Sequence, residues 1–370
     1  LTVTGFANSE TTSTAAGYVA PTCSSSNYLA TTNAATAGIT YSCTGGSANN
    51  YTITNSGTGS ITIGKANLNV VPSSQTVLYG DPAPTYSFSV SGFKNTDTTA
   101  NSAGYVAPTC SSSYTTSTNV ALSPLSITCS GGSATNYTFS SGSSNLTITK
   151  VSLLTITAST KSASYGSDIT TLYNGSTGYA TSGLGGGTIN ALTYTYSGSG
   201  TTTYAASTTA PSAPGTYTVT PSAVGFSTGT TANYTTITYA TGTLTINANA
   251  LVITANTVGP ITYGSATPTN GYTTTGLNSA TTTISVAYSY QGTGLTIYSA
   301  STTAPTAAGT YTITPVVTFT SGSAASYSSV SYVASNYTIN KKVLTATPQN
   351  INATYGDSSL NYSLTVTGFA

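Results

Sequence analysis

The chain of 370 residues contains no histidine, methionine, tryptophan or arginine, and only 3% of its residues are charged. The chain has six lysines and five acidic residues, which gives a formal net charge of +1. Nucleic-acid binding needs a basic patch to counter the phosphate backbone, and so few lysines do not supply one. A serine or threonine nucleophile would lack its usual histidine base, and the acids occupy equivalent places in different repeats. The sequence therefore predicts that the protein is not an enzyme.

The same shortage of ligating side chains excludes the common metal and cofactor sites. No Cys-x-x-Cys pair is present, and a calcium loop of the EF-hand type needs more carboxylates than this sequence has. We predict no catalytic, cofactor-binding or metal-binding residue. No run of 18 apolar residues occurs either, so no membrane-spanning helix is predicted.

What the sequence does contain is threonine, serine, glycine and 29 tyrosines, arranged in short alternating runs. GTYTVTP at 215–221 and GTLTIN at 242–247 alternate apolar or β-branched residues with Thr or Ser, which is typical of half-buried strands. Clusters of Gly, Asn, Ser and Pro between the runs indicate turns. The sequence predicts an all-β fold of tandem immunoglobulin-like β-sandwich domains that form an elongated rod.

A Tyr-Gly pair followed by Asp or Ser punctuates the chain at spacings of 86, 98 and 92 residues, about the length of one β-sandwich. The pairs are Tyr79 and Gly80, Tyr165 and Gly166, Tyr263 and Gly264, and Tyr355 and Gly356. We interpret each pair as a turn in which glycine takes a positive φ and tyrosine packs at a strand end. A loop that contacts a ligand is the alternative.

Strand pairs that close one unit and open the next predict the domain boundaries. The domains would be an A-type β-sandwich lacking its first strands (1–64), a second A-type (65–149), two B-type (150–247 and 248–340) and the opening strands of another A-type (341–370). Only the A-type domains share GYVAPTC, and only the B-type domains share the STTAP and GTYT stretches. We refer to these five stretches as segments 1 to 4 and the C-terminal segment.

The heptapeptide LTVTGFA occurs at 1–7 and again at 364–370. The tyrosine of a Tyr-Gly-Asp turn lies 14 residues before a phenylalanine in both segments, Tyr79 before Phe93 in segment 2 and Tyr355 before Phe369 in the C-terminal segment. The two occurrences predict one period of a continuous array, with a repeat of 363 residues. A subunit that polymerises by donor-strand exchange is the alternative.

Several motifs in this order resemble the YGX-type MBG domain of bacterial surface proteins. They are the Tyr-Gly-Asp/Ser turn, SVSGFKNTDT at 89–98, APGTYTVTP at 213–221 and the Asn-Tyr-Thr to GTLTI ending. The resemblance implies a long secreted bacterial protein with an adhesin-like or stalk-like role. It implies no shared catalytic site.

The four cysteines form two pairs of nearly equal spacing. Cys23 and Cys43 are 20 residues apart and Cys110 and Cys129 are 19 apart, each pair within one A-type domain, while the B-type domains have none. Joint presence or joint absence predicts an intradomain disulfide in each A-type domain, with free buried thiols as the alternative. Disulfides would place the protein in an oxidising, extracellular setting.

Two further patterns bear on binding. Eight Asn-x-Ser/Thr sequences occur, at Asn50, Asn136, Asn145, Asn174, Asn233, Asn336, Asn352 and Asn361. Four of them are Asn-Tyr-Thr, which we expect at one repeat position as incidental turn residues. With tryptophan absent, tyrosine is expected mainly in the core and in cross-strand pairs rather than on a sugar-binding face.

We therefore expect a non-catalytic structural repeat segment of a long bacterial extracellular surface fibre or adhesin stalk. Its partners would be copies of itself along or beside the fibre. The alternatives are an adhesion module that binds glycans or mucin, and the donor-strand subunit described above.

Overall fold

The computed structural model describes residues 1–370. Its regular structure consists of β-strands and four single-turn 3-10 helices, Val120–Leu122, Gly175–Thr177, Thr231–Asn233 and Ala324–Ser326. None of the helices has the length or apolar character needed to cross a membrane. The all-β fold predicted from the sequence is confirmed.

Residue contacts divide the chain into two compact units. Unit 1 comprises Leu1–Leu154, Gly183–Thr188 and Phe226–Ile237, and unit 2 comprises Thr155–Ser182, Ile189–Gly225 and Thr238–Ala370. The division runs through segment 3, which contributes residues to both units. The division into four domains with boundaries near 65, 150, 248 and 341 stays a prediction.

The first 150 residues contain ten strands. These are β1 (Thr22–Ser24), β2 (Thr40–Thr44), β3 (Gly59–Ser60), β4 (Ala66–Pro72), β5 (Gln75–Leu78), β6 (Phe88–Ser91), β7 (Thr109–Ser112), β8 (Leu125–Ser130), β9 (Tyr137–Ser141) and β10 (Ser143–Thr149). Segment 1 has one sheet, in the order β1-β2-β3. Segment 2 has two sheets, β6-β4-β9 and β5-β10-β8-β7, and β4 packs against β8 and β10 of the facing sheet. Segment 2 is thus a seven-stranded β-sandwich.

Sixteen strands follow. These are β11 (Val151–Ala158), β12 (Lys161–Ser164), β13 (Tyr179–Ser182), β14 (Thr188–Gly198), β15 (Gly215–Thr228), β16 (Tyr234–Ala240), β17 (Gly242–Asn247), β18 (Asn249–Ala255), β19 (Ile261–Thr262), β20 (Tyr272–Thr275), β21 (Thr283–Gly292), β22 (Gly309–Ser321), β23 (Tyr327–Val333), β24 (Ser335–Asn340), β25 (Thr345–Pro348) and β26 (Leu364–Thr367). Their sheets are β13-β11-β16, β12-β17-β15-β14, β20-β18-β23, β19-β24-β22-β21 and the two-stranded β25-β26.

Segments 2, 3 and 4 share one strand order. With the seven strands of each numbered along the chain, one sheet has the order 3-1-6 and the other 2-7-5-4. The second and the last strand are therefore neighbours, and they pair in parallel as β5 with β10, β12 with β17 and β19 with β24. Segment 1 contains counterparts of only the fourth, fifth and seventh strands.

The core follows from the period-two alternation of the strands. In β4, Leu68 and Val70 are buried while Asn67 and Asn69 face solvent. Threonine and serine take most outward positions, because they favour strand geometry and need no charge to remain solvated. Twelve of the 29 tyrosines are buried, and these are Tyr79, Tyr114, Tyr137, Tyr165, Tyr173, Tyr196, Tyr217, Tyr234, Tyr290, Tyr311, Tyr327 and Tyr337. Tyrosine thus supplies much of the aromatic core.

Both disulfides predicted from the spacing are present in the structure. Cys23 is bonded to Cys43 and Cys110 to Cys129, and no cysteine is free. Each bond joins directly opposite residues of adjacent antiparallel strands, β1 with β2 and β7 with β8. Every disulfide therefore staples two neighbouring strands of one sheet.

Removing the second disulfide is expected to destabilise segment 2 by about 3 kcal/mol, since its loop of 19 residues gains freedom in the unfolded chain. The double variant Cys110→Ser, Cys129→Ser should show this as a lower urea midpoint. Segment 4 has no cysteine and lies wholly in unit 2, so its transition serves as the control. An unchanged midpoint for segment 2 would contradict the expectation.

Candidate functional site: the Tyr-Gly junctions

Each Tyr-Gly pair lies at the centre of a tight turn. In the first turn the Asp81 amide donates a hydrogen bond to the Leu78 carbonyl oxygen at 3.0 Å, and equivalent bonds close the other three. Glycine stands third in each turn, with φ of 93° at Gly80, 93° at Gly166, 85° at Gly264 and 101° at Gly356. This left-handed conformation is strained for any residue with a Cβ, which accounts for the glycine.

The tyrosine amide attaches each of the first three turns to the last strand of its own segment. The bonds run from the Tyr79 amide to the Thr149 carbonyl oxygen (3.0 Å), from Tyr165 to Asn247 (2.8 Å) and from Tyr263 to Asn340 (2.8 Å). They continue the parallel pairing of the second and last strands. The tyrosine side chain is thereby held beside the end of its segment, where the next segment begins.

The Tyr79 side chain packs against segment 3. Its ring centroid lies 5.9 Å from that of Tyr234 at an interplanar angle of 85°, an edge-to-face pair. Tyr234 is the first residue of β16, and its hydroxyl donates to the Leu184 carbonyl oxygen at 2.6 Å. Burial, reinforced by the nearby Tyr79, raises the pKa of Tyr234 to about 12. All of these residues belong to unit 1.

The same contact recurs within unit 2, between segments 3 and 4. The ring of Tyr165 lies 5.5 Å from that of Tyr327 at 77°. Tyr327 opens β23 as Tyr234 opens β16. The Tyr165 hydroxyl also shares a hydrogen bond of 2.6 Å with the Thr281 hydroxyl. We call this contact of a Tyr-Gly turn with the following segment the Tyr-Gly junction.

Glycine contributes to the junction as well as to the turn. A Cβ on Gly80 would clash with the backbone of Gly185 and Gly186 in segment 3. At Gly166 the neighbour is Asn278 of segment 4, and a Cβ on Gly356 would meet nothing within 4 Å. The absence of a side chain at Gly80 lets the two backbones approach each other closely.

The variants Gly80→Ala and Gly356→Ala separate these two roles. Both place a Cβ at positive φ, which costs about 1 kcal/mol or more. Only Gly80→Ala also forces the junction backbones apart, so its total loss of unfolding free energy should reach about 2–3 kcal/mol. Thermal unfolding of both variants beside the parent measures the difference. Equal losses would show that the close approach of the two backbones at Gly80 does not contribute to the unfolding free energy.

An asparagine holds the two sides of the junction together in unit 1. Asn233 is fully buried, and its Oδ1 accepts a hydrogen bond from the Val120 amide at 2.9 Å. Its Nδ2 donates to Oδ1 of Asn119 at 2.8 Å. Both polar atoms of the side chain are therefore satisfied by segment 2, as burial of an amide requires.

The preceding boundary uses the same arrangement. Asn136 of segment 2 accepts from the Ala34 amide and donates to Asn33, both at 2.9 Å. The asparagines of these Asn-Tyr-Thr sequences are therefore junction residues, a role that the sequence interpretation missed. The expectation of four equivalent positions is wrong for Asn336, which lies inside β24, whereas Tyr327 is the true counterpart of Tyr234.

The last two Tyr-Gly turns differ from the first two. Tyr263 is 47% exposed and Tyr355 is fully exposed. Gly264 contacts Ala370 of the C-terminal segment, as Gly80 contacts Gly185, but no ring of a later segment covers Tyr263. The structure thus places two of the four predicted tyrosines in complete junctions.

The few acids do not converge on a reactive site. Asp97 and Glu10 each accept a hydrogen bond from a tyrosine hydroxyl, that of Tyr137 at 2.7 Å and that of Tyr51. No group of three or more His, Cys, Asp or Glu side chains lies close enough to bind a metal ion. What the geometry supports is packing between segments.

Comparison with known proteins identifies one domain family. Residues 68–147 match the MBG domain of the YGX type. A search of curated proteins gives no match. The match lies within segment 2, which carries Tyr79 and Gly80.

Among solved structures, the chain is similar to the N-terminal four Ig domains of Dscam1. For isoform 4.44 the identity is 13%, the TM-score 0.21, and the alignment covers 59% of this chain and 55% of that chain, so it spans little more than half of the Dscam1 structure. For isoform 6.9 the values are 11%, 0.20, 85% and 82%. Three N-terminal domains of the bacteriophage RB49 Highly Immunogenic Outer Capsid protein (Hoc) give 10%, 0.18, 88% and 99%. The resemblance to the YGX-type MBG domain predicted from the Tyr-Gly motif is confirmed for residues 68–147.

Proposed function

We propose that this chain is a non-catalytic structural repeat segment of a long extracellular surface fibre or adhesin stalk of a bacterium. The observation that carries the proposal is the recurrence of the Tyr-Gly junction, which joins Tyr79 to Tyr234 and Tyr165 to Tyr327, in both cases edge to face. A binding or catalytic site is normally built once per molecule. A contact repeated at successive boundaries serves to connect one segment to the next.

Two other features support an extracellular location. Both disulfides are of the kind that persists in oxidising compartments. The match of residues 68–147 to the MBG domain agrees with a surface protein. The elongated rod expected from the sequence is part of this proposal, and small-angle X-ray scattering of the purified chain measures its maximum dimension.

The positions of the tyrosines favour the structural role over glycan binding. A lectin-like face would present several rings to solvent, but twelve tyrosines are buried in cores and junctions. Tyr173, for example, packs against Tyr194 and Tyr196 at 5.1 and 6.0 Å between ring centroids. The tyrosine rings therefore serve mainly to pack the protein's own cores and junctions.

Surface labelling of intact cells that produce the chain tests the proposal. Antibodies raised against the purified chain, visualised by immunogold electron microscopy, should decorate extracellular fibres at regular intervals. Labelling that requires permeabilised cells would overturn the proposal. Binding of the purified chain to mucin or to a glycan array, without fibre labelling, would establish the adhesion module instead.

A further inference from the structure

Segment 1 contains no stretch of chain that corresponds to the first two strands of segment 2, β4 and β5. Its strands β1 and β2 pair Cys23 with Cys43, as β7 and β8 pair Cys110 with Cys129. β3 lies in the place of β10, but nothing in segment 1 corresponds to β4 or β5. In segment 2, β4 is the centre of its sheet and β5 covers the edge of β10.

An open groove of about 610 Å³ lies where the counterpart of β4 would be. The groove is lined by Leu1 to Phe6, by Tyr41 and Cys43, and by the stretch 51–59. That stretch begins with Tyr51, the counterpart of Tyr137 at the start of β9. The groove therefore runs along the residues whose counterparts contact β4 in segment 2.

The C-terminal segment carries strands of the missing type. β25 pairs with β26 so that Pro348 faces Leu364, as Pro72 of β4 faces Phe88 of β6. The whole register agrees, with each C-terminal residue 276 positions beyond its counterpart in segment 2. β25 and β26 pair with no other strand.

The apolar side chains of this segment are uncovered where their counterparts are buried. Leu344 is 50% exposed, whereas Leu68 is completely buried. Tyr355 is fully exposed, whereas Tyr79 is 1% exposed and packs against the segment that follows its own. Such a difference marks a surface that lacks its partner.

We propose that residues 342–370 of one copy of this chain combine with residues 8–64 of a second copy to form one complete A-type domain. β25 then pairs in parallel with the stretch that begins at Tyr51, as β4 pairs with β9. Residues 351–354 lie beside the stretch 61–64, as β5 lies beside β10. We assign the partner as a second copy because the groove of segment 1 and the β25-β26 pair correspond to two different parts of segment 2. In segment 2 both parts are present and their pairing is observed.

The repeated heptapeptide fits this assembly. In segment 1, Phe6 packs against Tyr18 and Tyr51, with ring centroids 6.1 and 5.4 Å apart. In segment 2, Phe93 packs in the same way against Tyr105 and Tyr137, at 6.1 and 5.5 Å. Leu364–Ala370 has the sequence of Leu1–Ala7, so the Phe369 ring takes the place of Phe6.

The assembly also completes the third Tyr-Gly junction. Tyr51 of the second copy is the counterpart of Tyr234 and Tyr327, so it covers the exposed ring of Tyr263. The inference deepens the proposed function by naming the partner that follows segment 4. It stands or falls separately, because surface labelling does not depend on how the copies are joined.

Cysteine pairs placed across the proposed contact test the inference. In segment 2, Asn67 of β4 faces Thr138 of β9 and both side chains are exposed, and their counterparts are Val343 and Thr52. Chains carrying Val343→Cys should form disulfide-linked dimers under mild oxidation when mixed with chains carrying Thr52→Cys. The control pairs Thr52→Cys chains with chains carrying Leu295→Cys, a fully exposed loop position, and should give at least tenfold less dimer.

A second arm distinguishes separate from continuous copies. A fused chain of residues 1–370 followed by residues 8–370 carries Val343→Cys in its first copy and Thr52→Cys in its second. A link in the mixed chains supports the inference through strand exchange, in which Leu364–Ala370 displaces Leu1–Ala7. A link in the fused chain alone supports it through a continuous array. Links that are no more abundant in either arm than in the Leu295→Cys control would overturn it.

Discussion

Replacing Tyr79 with alanine is expected to lower the unfolding free energy of unit 1 by about 3–5 kcal/mol, the usual cost of deleting a buried aromatic ring. Tyr79 is 1% exposed and meets Tyr234 edge to face, so the variant loses contacts on both sides of the junction. Urea unfolding measures the loss. Hydrogen exchange should also accelerate in Gly183–Thr188 and Phe226–Ile237, two parts of segment 3 that belong to unit 1.

Tyr263→Ala is the matched control, because it alters the same motif where the ring is 47% exposed. We expect this variant to lose less than about 1 kcal/mol. Tyr165→Ala repeats the junction test in unit 2 and should behave like Tyr79→Ala. Equal losses at Tyr79 and Tyr263 would show that the tyrosine stabilises only its own turn, and the junction interpretation would be wrong.

Raising the pH above about 10 is expected to unfold the protein, although stability should hardly change between about pH 4 and 9. The lower range is flat because the chain has no histidine and only five acids. Burial raises the pKa of Tyr234 to about 12, and burial with Tyr179 and Tyr196 nearby raises that of Tyr194 to about 12. Burial also raises the pKa of Tyr173.

The sign of this effect follows from where the protons are held. Below pH 10 a tyrosine keeps its proton in both states, so the contribution of these groups is fully present. Above pH 10 the unfolded chain releases protons that the folded chain retains, so the unfolding free energy falls until the folded pKa near 12 is passed. Circular dichroism and tyrosinate absorbance, followed together against pH, should change in the same interval.

Single hydroxyl deletions assign the alkaline transition to buried tyrosines. The Tyr194 hydroxyl is buried without a hydrogen-bond partner, so Tyr194→Phe should fold normally at neutral pH and move the alkaline midpoint upward. Tyr355→Phe removes a fully exposed hydroxyl and should leave the midpoint unchanged. If the two variants shift alike, buried tyrosines do not drive the transition.

Much of the fold could be predicted because its signals are local. Period-two alternation in GTYTVTP corresponds to the start of β15, and a glycine after tyrosine corresponds to a positive φ at Gly80. The paired spacing of Cys110 and Cys129 corresponds to a disulfide between adjacent strands. Each of these features depends on a few neighbouring residues or on the spacing of two cysteines that recurs in both A-type domains.

The junctions could not be predicted in the same way, because their partners lie far apart in the sequence. Tyr79 lies in segment 2 and Tyr234 in segment 3. The alternation pattern predicts which side chains are buried, but it does not predict which two rings contact each other. Asn233 is part of an ordinary Asn-Tyr-Thr sequence, yet it is fully buried between Asn119 and Val120. Aligning the repeats by strand order instead of by the Asn-Tyr-Thr tripeptide would have shown that Asn233 and Asn336 occupy different positions.

The parallel pairing of the second and last strands determines how each segment responds to a pulling force. The N-terminal end of segment 2 leads through β4 into β5, and the C-terminal end leaves from β10. Once β4 has detached, a pull on the two ends draws β5 and β10 along their own axes in opposite directions. The backbone bonds between them are then loaded together in shear, instead of opening one after another as in a hairpin peeled from its end. The pair spans four residue positions in segments 2 and 3 but only two in segment 4. Among segments 2, 3 and 4, segment 4 should therefore extend first under rising tension.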